Sequence, residues 1–455
     1  MKIIISGCGK IGMTILQSLV EEGHDITALD IDDAVIDEIT NIYDVMGVCG
    51  NCTDCETLKE ARIDTADLFV AVTGSDEINM LACFLSKRMG AKHTIARIRN
   101  PEYNYSSLVF LRQQLDLSMA INPELLAAQE IYNILKFPSA VKIESFSRRD
   151  FEMIEIRLKQ DSLLDGMNLI TMREKYKAKV LVCAVQRDDE VFIPNGNFVL
   201  KGGDKLGITA TQAEFVKFFK ALNVYQREAK DVMILGGSRT AYYLAKMLAN
   251  GGNDVKIIDR DPEICQRFSE DIPKATVIVG DGAHQELLIE EGIKETEAFV
   301  SLTGIDEENI LMSVFASSLD VPKVISKVNR DELYDLAENL GLDTVISPKK
   351  IISDVLVRYV RALNNSFDSS NIETLYHLMD ETTEAIEFRV SAEFEHLNIP
   401  IKDLGLKDNI IIAGIIRERK PIIPIGDDVI MANDRVIVIA AGRRLQELSE
   451  IIKKG

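Results

Sequence analysis

The run Lys2-Ile3-Ile4-Ile5-Ser6-Gly7-Cys8-Gly9-Lys10-Ile11-Gly12 decides how this chain is read. A β-branched apolar stretch of this kind fits a buried strand, and it leads without a linker into G-x-G-x-x-G. Helical periodicity then predicts a helix over Met13–Glu22. In that context Gly7 allows a tight turn, Gly9 lets backbone approach a pyrophosphate, and Gly12 lets helix pack on strand. The unpaired N–H groups of the helix N-terminus are aimed at the phosphates. Asp30 ends the next apolar run, 18 residues beyond Gly12. A carboxylate there accepts hydrogen bonds from ribose hydroxyls and opposes a 2′-phosphate. NAD(H), ATP or ADP therefore fits better than NADP(H). Cys8, Lys10 and Ile11 complete the loop.

Working outward, the same pattern recurs at an offset of 229 to 230 residues. Ile3–Gly7 matches Val232–Gly236, Ile26–Asp30 matches Val255–Asp259, and Phe69–Gly74 matches Phe299–Gly304. Asp76 and Asn79 match Asp306 and Asn309. The register continues into a second type of segment, where Arg187, Ile193-Pro194, Gly196 and Asp204 match Arg417, Ile423-Pro424, Gly426 and Asp434. The first part of each repeat alternates strand and helix signals, as a parallel sheet requires. The second part reads as short strands and turns, including Val180–Val185 and Ile410–Ile416. The expected fold is α/β: two Rossmann-like parallel-sheet domains, each followed by a small α+β subdomain. The expected boundaries are 1–137, 138–225, 226–365 and 366–455. Between the parts, Asp116–Lys136 and Asp343–Arg361 each open a helix at a proline, Pro123 or Pro348, with Asn122 or Ser347 placed to cap it.

The second copy departs from the first at its turn. Gly236-Gly237-Ser238-Arg239-Thr240-Ala241 puts serine where Gly9 stands and alanine where Gly12 stands, while Asp259 is retained. Ser238 places a side chain beside the pyrophosphate path and Arg239 adds a phosphate partner, so a second site with weaker or different nucleotide preference is expected, with a vestigial fold element as the alternative. Ligands of parallel sheets sit beyond the carboxyl ends of the strands. That rule adds Asn51 and Cys52 with Asp281, Thr73 and Gly74 with Thr303 and Gly304, and Arg97 with its counterpart Lys327 as cations for a phosphate tail.

Composition narrows the function classes. The 455 residues carry 52 Lys plus Arg against 72 Asp plus Glu, a net charge of −20, which opposes general binding to a phosphate backbone. No nucleic-acid partner is expected. No apolar stretch approaches the roughly 18 to 20 residues of a spanning helix, and no secretory signal is visible, so a cytoplasmic protein is expected. Seven cysteines suit reduced thiols. Cys49, Cys52 and Cys55 lack an evident fourth metal ligand, and no metal is assigned. The five histidines form no catalytic constellation; only His284 lies near an expected strand end, and no Walker lysine, H-E-x-x-H or G-x-S-x-G appears. Binding without turnover follows, so no catalytic residue and no enzyme activity are assigned.

Taken in order, these features resemble the RCK or KTN regulators of potassium transport in their tandem-repeat form. The likeness rests on the glycine turn with Asp30, on Asp76-Glu77-Ile78-Asn79-Met80, on Ala96-Arg97-Ile98-Arg99-Asn100-Pro101, and on Ile193-Pro194 to Gly203-Asp204 with its repeat at Ile423-Pro424 to Asn433-Asp434. The resemblance implies a regulatory subunit, peripheral on the inner face of the membrane, that binds NAD(H) or ATP/ADP. Its implied partner is a potassium transporter of the TrkH or TrkG type. It further implies a homotetramer forming a ring of eight RCK units, with the helices carrying Pro123 and Pro348 pairing neighbouring Rossmann units. An NAD-dependent oxidoreductase, or a regulator of another cation channel or antiporter, stands as the alternative.

Overall fold

The structure is a computed structural model that describes residues 1–103, 105–146, 151–188, 190–342, 344–367, 372–379 and 383–453. Asp343, which opens the second proline-helix segment, lies outside them.

The chain begins as a regular alternation: β1 (Lys2–Ser6), α1 (Lys10–Glu21), β2 (Asp25–Asp30), α2 (Asp33–Ile42), β3 (Met46–Cys49) and α3 (Cys55–Glu60). It continues through β4 (Leu68–Ala71), α4 (Asp76–Arg88), β5 (His93–Arg97), α5 (Tyr105–Gln114), β6 (Met119–Ile121) and α6 (Pro123–Lys136). The sheet order is β3-β2-β1-β4-β5-β6, with every pairing parallel. β4 is buried along its whole length, as a central strand covered on both faces must be. Helix α1 buries Ile15, Leu16 and Leu19 on one side. It starts three residues before the expected Met13, because the glycine turn itself forms the helix N-terminus and Gly12 already lies inside the first turn.

The chain then changes character, with β7 (Lys142–Phe146), β8 (Phe151–Arg157), α7 (Leu169–Tyr176), β9 (Leu181–Arg187), β10 (Glu190–Phe192), β11 (Lys205–Ala210) and α8 (Gln212–Ala221). These strands form an antiparallel sheet ordered β10-β9-β11-β8-β7. The repeat follows: β12 (Asp231–Leu235), α9 (Arg239–Asn250), β13 (Asp254–Asp259), α10 (Pro262–Asp271), β14 (Thr276–Val279) and α11 (Gln285–Glu290). After these come β15 (Ala298–Ser301), α12 (Asp306–Ser318), β16 (Lys323–Lys327), α13 (Asp331–Asn339), β17 (Val345–Ile346) and α14 (Pro348–Phe367). Its sheet, β14-β13-β12-β15-β16-β17, repeats the first. The last part holds β18 (Ile372–Leu378), β19 (Thr383–Arg389), β20 (Ile410–Arg417), β21 (Lys420–Ile422) and β22 (Arg435–Ala441), in the order β18-β19-β22-β20-β21.

Two compact units result. One joins Met1–Tyr132 with Lys230–Val357, and the other joins Asn133–Ala229 with Arg358–Gly455. The two Rossmann folds therefore fall in one unit and the two small domains in the other. Within the first unit, Asn122 Nδ2 donates to Tyr243 Oη at 3.0 Å, Tyr243 Oη donates to the Arg99 carbonyl at 2.9 Å, and Ser353 Oγ donates to Ser18 Oγ at 2.7 Å. Within the second, Phe146, Phe151 and Cys183 share a core with Ala413, Ile437 and Ile439. The repeated Arg and Asp of the small domains form bidentate pairs: Arg187 on Asp204 at 2.8 and 2.8 Å, and Arg417 on Asp434 at 2.9 and 2.8 Å. Each aspartate also accepts a backbone N–H, from Lys201 or Met431, so the pair closes the turn before the following strand.

The two helix caps differ. Asn122 Oδ1 accepts the Leu125 N–H at 2.9 Å, as its position predicts. The Ser347 hydroxyl is buried without a partner and caps nothing, so the expected serine cap is corrected here. Pro348 already supplies a preset φ at the first helical position.

Candidate nucleotide-binding site

The site starts at the β1–α1 turn. Gly7 has φ +88°, and a Cβ there would lie 2.7 Å from the Thr73 backbone. A Cβ on Gly12 would lie 2.1 Å from the Gly7 carbonyl oxygen. Both glycines are required by the protein's own packing. Gly9 is different: its φ is −67°, and a Cβ on it would meet nothing within 4 Å. No side chain caps α1 either, so its first N–H groups have no side-chain acceptor. A closely approaching anionic group is the natural reason for glycine at that place.

Asp30 stands beside this turn at the end of β2. Its Oδ2 accepts the Cys8 N–H at 2.6 Å and its Oδ1 accepts the Asp32 N–H at 3.0 Å, which holds the carboxylate in a fixed orientation with lone pairs remaining. The Cys8 side chain points inward, where burial and the nearby Asp30 push its thiol up to about 12. Asn51 closes the next turn by accepting from Thr53 N–H and Oγ1, both at 2.9 Å.

The Asp-x-x-Asn motif after β4 has a scaffolding role. Asn79, fully buried, accepts from Thr73 N–H at 2.8 Å and Thr73 Oγ1 at 2.7 Å, and donates to the Arg97 carbonyl at 2.9 Å. Asp76 accepts the N–H groups of Arg99 and Asn100 at 2.7 and 2.8 Å. Asn309 and Asp306 repeat this arrangement, with Asn309 linking Thr303 to the Lys327 carbonyl and Asp306 accepting from Asn329 and Arg330. The motif thus ties the ends of adjacent strands into one rim.

A cavity of 1130 Å³ opens against this rim. Of the residues singled out from sequence, Gly7, Gly9, Lys10, Ile11 and Asp30 line it, as do Asn51, Cys52, Thr73, Gly74 and Arg97. From the second copy, Ser238, Arg239, Thr240, Gly304 and Lys327 line the same cavity. Cys8, Gly12, Gly236, Gly237, Asp259, Asp281 and Thr303 do not line it. The two Rossmann copies therefore share a cavity to which the first contributes Gly7, Gly9, Lys10 and Ile11 of its turn, and the second the start of α9 and the ends of β15 and β16. His284 also lies outside it, three-quarters exposed and 3.5 Å from Asp281. Among the described residues no group of three His, Cys, Asp or Glu side chains is placed to hold a metal ion. Cys49 and Cys55 are exposed while Cys52 is buried.

Sequence reading misses several lining residues. Ile31 and Ile78 are exposed apolar side chains, at 76 % and 43 %, facing the cavity. Ile31 directly follows Asp30, and Ile78 sits inside the Asp-x-x-Asn motif; these positions are the signals that could have found them. Glu124, Asn329, Arg330 and Lys349 also line it. Arg97 Nη2 lies 3.4 Å from Glu124 Oε1, while Arg97 Nε and Glu124 Oε2 are buried without partners. Burial pulls the Arg97 guanidinium below its ordinary value, against the pull of Glu124. Lys327 is nine-tenths buried and donates to the Leu302 carbonyl at 3.3 Å. Desolvation brings its ammonium down to about 8, opposed by Asp306 and Glu124. In all, six cations and four carboxylates face the cavity, in a chain whose net charge is −20.

Comparison with known proteins agrees with this architecture. The TrkA-N domain matches residues 3–123 and 232–348, and the TrkA-C domain matches 153–223 and 386–453. The chain is 30 % identical over 453 residues to the Trk system potassium uptake protein TrkA homolog of Archaeoglobus fulgidus, covering all of both chains. It is 31 % identical over 444 residues to the Trk system potassium uptake protein TrkA of Haemophilus influenzae, covering 96 % of this chain and 93 % of that one. Among solved structures, the GsuK RCK domain superposes with a TM-score of 0.62 at 16 % identity, over 97 % of this chain and 92 % of that one. The GsuK channel bound to NAD superposes with a TM-score of 0.62 at 16 % identity, over 97 % and 76 %. At that identity the likeness speaks for the fold.

Proposed function

This chain belongs to the TrkA family of tandem TrkA-N and TrkA-C proteins, and from that premise we propose that it is the regulatory subunit of a potassium-uptake system, controlled by NAD(H) or ATP/ADP in its first Rossmann domain. The observation that carries this reading is the cavity itself: an uncapped helix N-terminus behind an open Gly9, an oriented Asp30, and a cationic surplus in an acidic protein. NAD(H), ATP and ADP share an adenosine diphosphate portion. Its ribose hydroxyls donate to Asp30, its adenine lies against Ile31 and Ile78, and its phosphates meet the N–H groups after Gly9. Arg97, Lys327 and Arg239 supply charge for the phosphate tail.

Regulation of this kind is a shift between two arrangements of the paired Rossmann folds, and it requires unequal affinity for them. The shared cavity supports it, because a ligand held by Asp30 also meets residues of the second copy. The partner is a membrane potassium transporter of the TrkH or TrkG type, with four chains forming a ring of eight units on its cytoplasmic face. No helix among the described residues is long and apolar enough to cross a membrane. The four-domain division at 137, 225 and 365 and the absence of catalysis belong to the same reading.

Calorimetric titration with NADH, ATP, ADP and NADP⁺ tests it, alongside rubidium uptake by cells carrying the transporter. Asp30→Ala should weaken binding about 10- to 100-fold, as expected for losing hydrogen bonds to a charged group, and should blunt the nucleotide dependence of uptake. Equal affinity of wild type and variant would remove Asp30 from the site, and no binding of any nucleotide would reject the reading.

A further inference from the structure

Both Rossmann copies keep the turn and the acid of a nucleotide site, yet the surroundings differ residue by residue. Where the first copy presents the exposed apolar pair Ile31 and Ile78 to the cavity, the second has Arg260 and Glu308. A flat apolar ring that packs between two isoleucines would here have to desolvate a cation and a carboxylate. Where Gly9 leaves the end of α1 uncapped, Ser238 Oγ accepts the Ala241 N–H at 3.4 Å, so a hydroxyl occupies the approach to the first turn of α9. Ser6, which lines the cavity, is replaced by Leu235, which is 2 % exposed. Leu235 leans over Gly282 so closely that a Cβ on that glycine would lie 2.0 Å from Leu235 Cδ1. Asn51 is replaced by Asp281, so that Asp259, Asp281 and Glu308 gather where the first copy has Asp30 alone. Burial and the charges of Asp281 and Asp259 push the Glu308 carboxyl up, against the pull of Arg260, which agrees with crowding of like charge. Asp259, Asp281 and Thr303 stay outside the shared cavity, whereas Ser238, Arg239 and Lys327 face it.

We propose that the second Rossmann copy has no nucleotide site of its own: the chain binds one adenine nucleotide, at the first copy, and Ser238, Arg260 and Glu308 exclude a second. This rests on the nucleotide reading of the first site. The second copy then serves as a wall of the first copy's pocket.

Stoichiometry decides the matter, measured on the full chain by calorimetry and by equilibrium dialysis with ATP and with NADH as probes. One equivalent per chain is expected, its affinity lowered about 10- to 100-fold by Asp30→Ala and unchanged by Asp259→Ala. In the Asp30→Ala background, combined Ser238→Gly, Arg260→Ile and Glu308→Ile should add a second equivalent whose affinity falls with Asp259→Ala. Circular dichroism and thermal melting establish that each variant is folded. Two equivalents in the wild type, one of them lost with Asp259→Ala, would overturn the proposal. So would a single equivalent whose affinity Asp30→Ala leaves unchanged, or a folded combined variant that gains nothing. Absence of any binding to the wild type would instead bring down the nucleotide reading, and this proposal with it.

Discussion

Gly9 and Gly12 belong to one motif but answer to different demands. Adding a methyl group at Gly12 drives it into the Gly7 carbonyl, so Gly12→Ala should cost about 1–3 kcal/mol of stability, as overpacking does. Adding it at Gly9 touches nothing in the protein, so Gly9→Ala should stay within about 1 kcal/mol of wild type, the scale of a helix cap. Nucleotide affinity should nevertheless fall about tenfold or more, because the methyl group stands in the phosphate path. Urea denaturation and titration of the two variants separate these effects; a Gly9→Ala protein that binds normally would show that the open space is not used. Lys327 makes a second prediction. Its ammonium is brought down to about 8, below the ordinary lysine value, so the unfolded chain binds the proton more tightly and this group's contribution to stability rises with pH between about 8 and 10.5. Over the same rise Lys327 loses its charge and its attraction for a phosphate. Affinity should therefore weaken from pH 7 to 9 in the wild type and stay flat in Lys327→Met. A wild-type profile as flat as the variant's would mean that the ammonium does not meet the ligand.

At the level of elements, helix α9 is fastened to the first Rossmann copy through Tyr243, which accepts from Asn122 and donates to the Arg99 carbonyl. Tyr243→Phe removes both bonds and leaves polar groups short of partners, so it should destabilise the Rossmann unit by about 1–2 kcal/mol in urea melts. An unchanged midpoint would mean that water replaces the hydroxyl at no cost. The same contact shows where sequence reading stops. Strand β1, the glycine turn and α1 are legible because their signals are local, and Asp30 follows at a fixed short spacing. The 229- to 230-residue offset makes the duplication legible as well. Arg97 and Lys327 are placed correctly at strand ends by the parallel-sheet rule. The partners of these residues are not legible: Glu124 meets Arg97 across 27 positions, and Ser238 joins the cavity of Asp30 across about two hundred. No periodicity records such meetings. The Ser347 cap fails for a related reason, since the hydroxyl is buried by packing that local pattern does not reveal.

For the whole molecule, the arrangement of units predicts where a ligand is felt. A nucleotide that binds the folded Rossmann unit and not the unfolded chain stabilises it by about 2.7 kcal/mol at a hundredfold excess over Kd. In hydrogen exchange, ATP should slow amides in Met1–Tyr132 and Lys230–Val357 more than those in Asn133–Ala229 and Arg358–Gly455. Uniform slowing throughout would mean that the two units open together. The net charge of −20 adds that docking on a membrane partner depends on a local complementary face rather than on attraction to anionic lipid.

The interleaving of the two units also bears on how the protein is made. As the chain leaves the ribosome, Met1–Tyr132 emerges first, but the segment that packs against it begins only at Lys230, roughly a hundred residues later. At about 5–20 residues per second that is an interval of about 5–20 s. During it the nascent first fold carries Asn122 and the Arg99 carbonyl without Tyr243, and Ser18 without Ser353. The small domain made in between waits in turn for Arg358–Gly455. Translation thus leaves each unit half-assembled in succession, and that interval is when two nascent chains on neighbouring ribosomes can exchange halves.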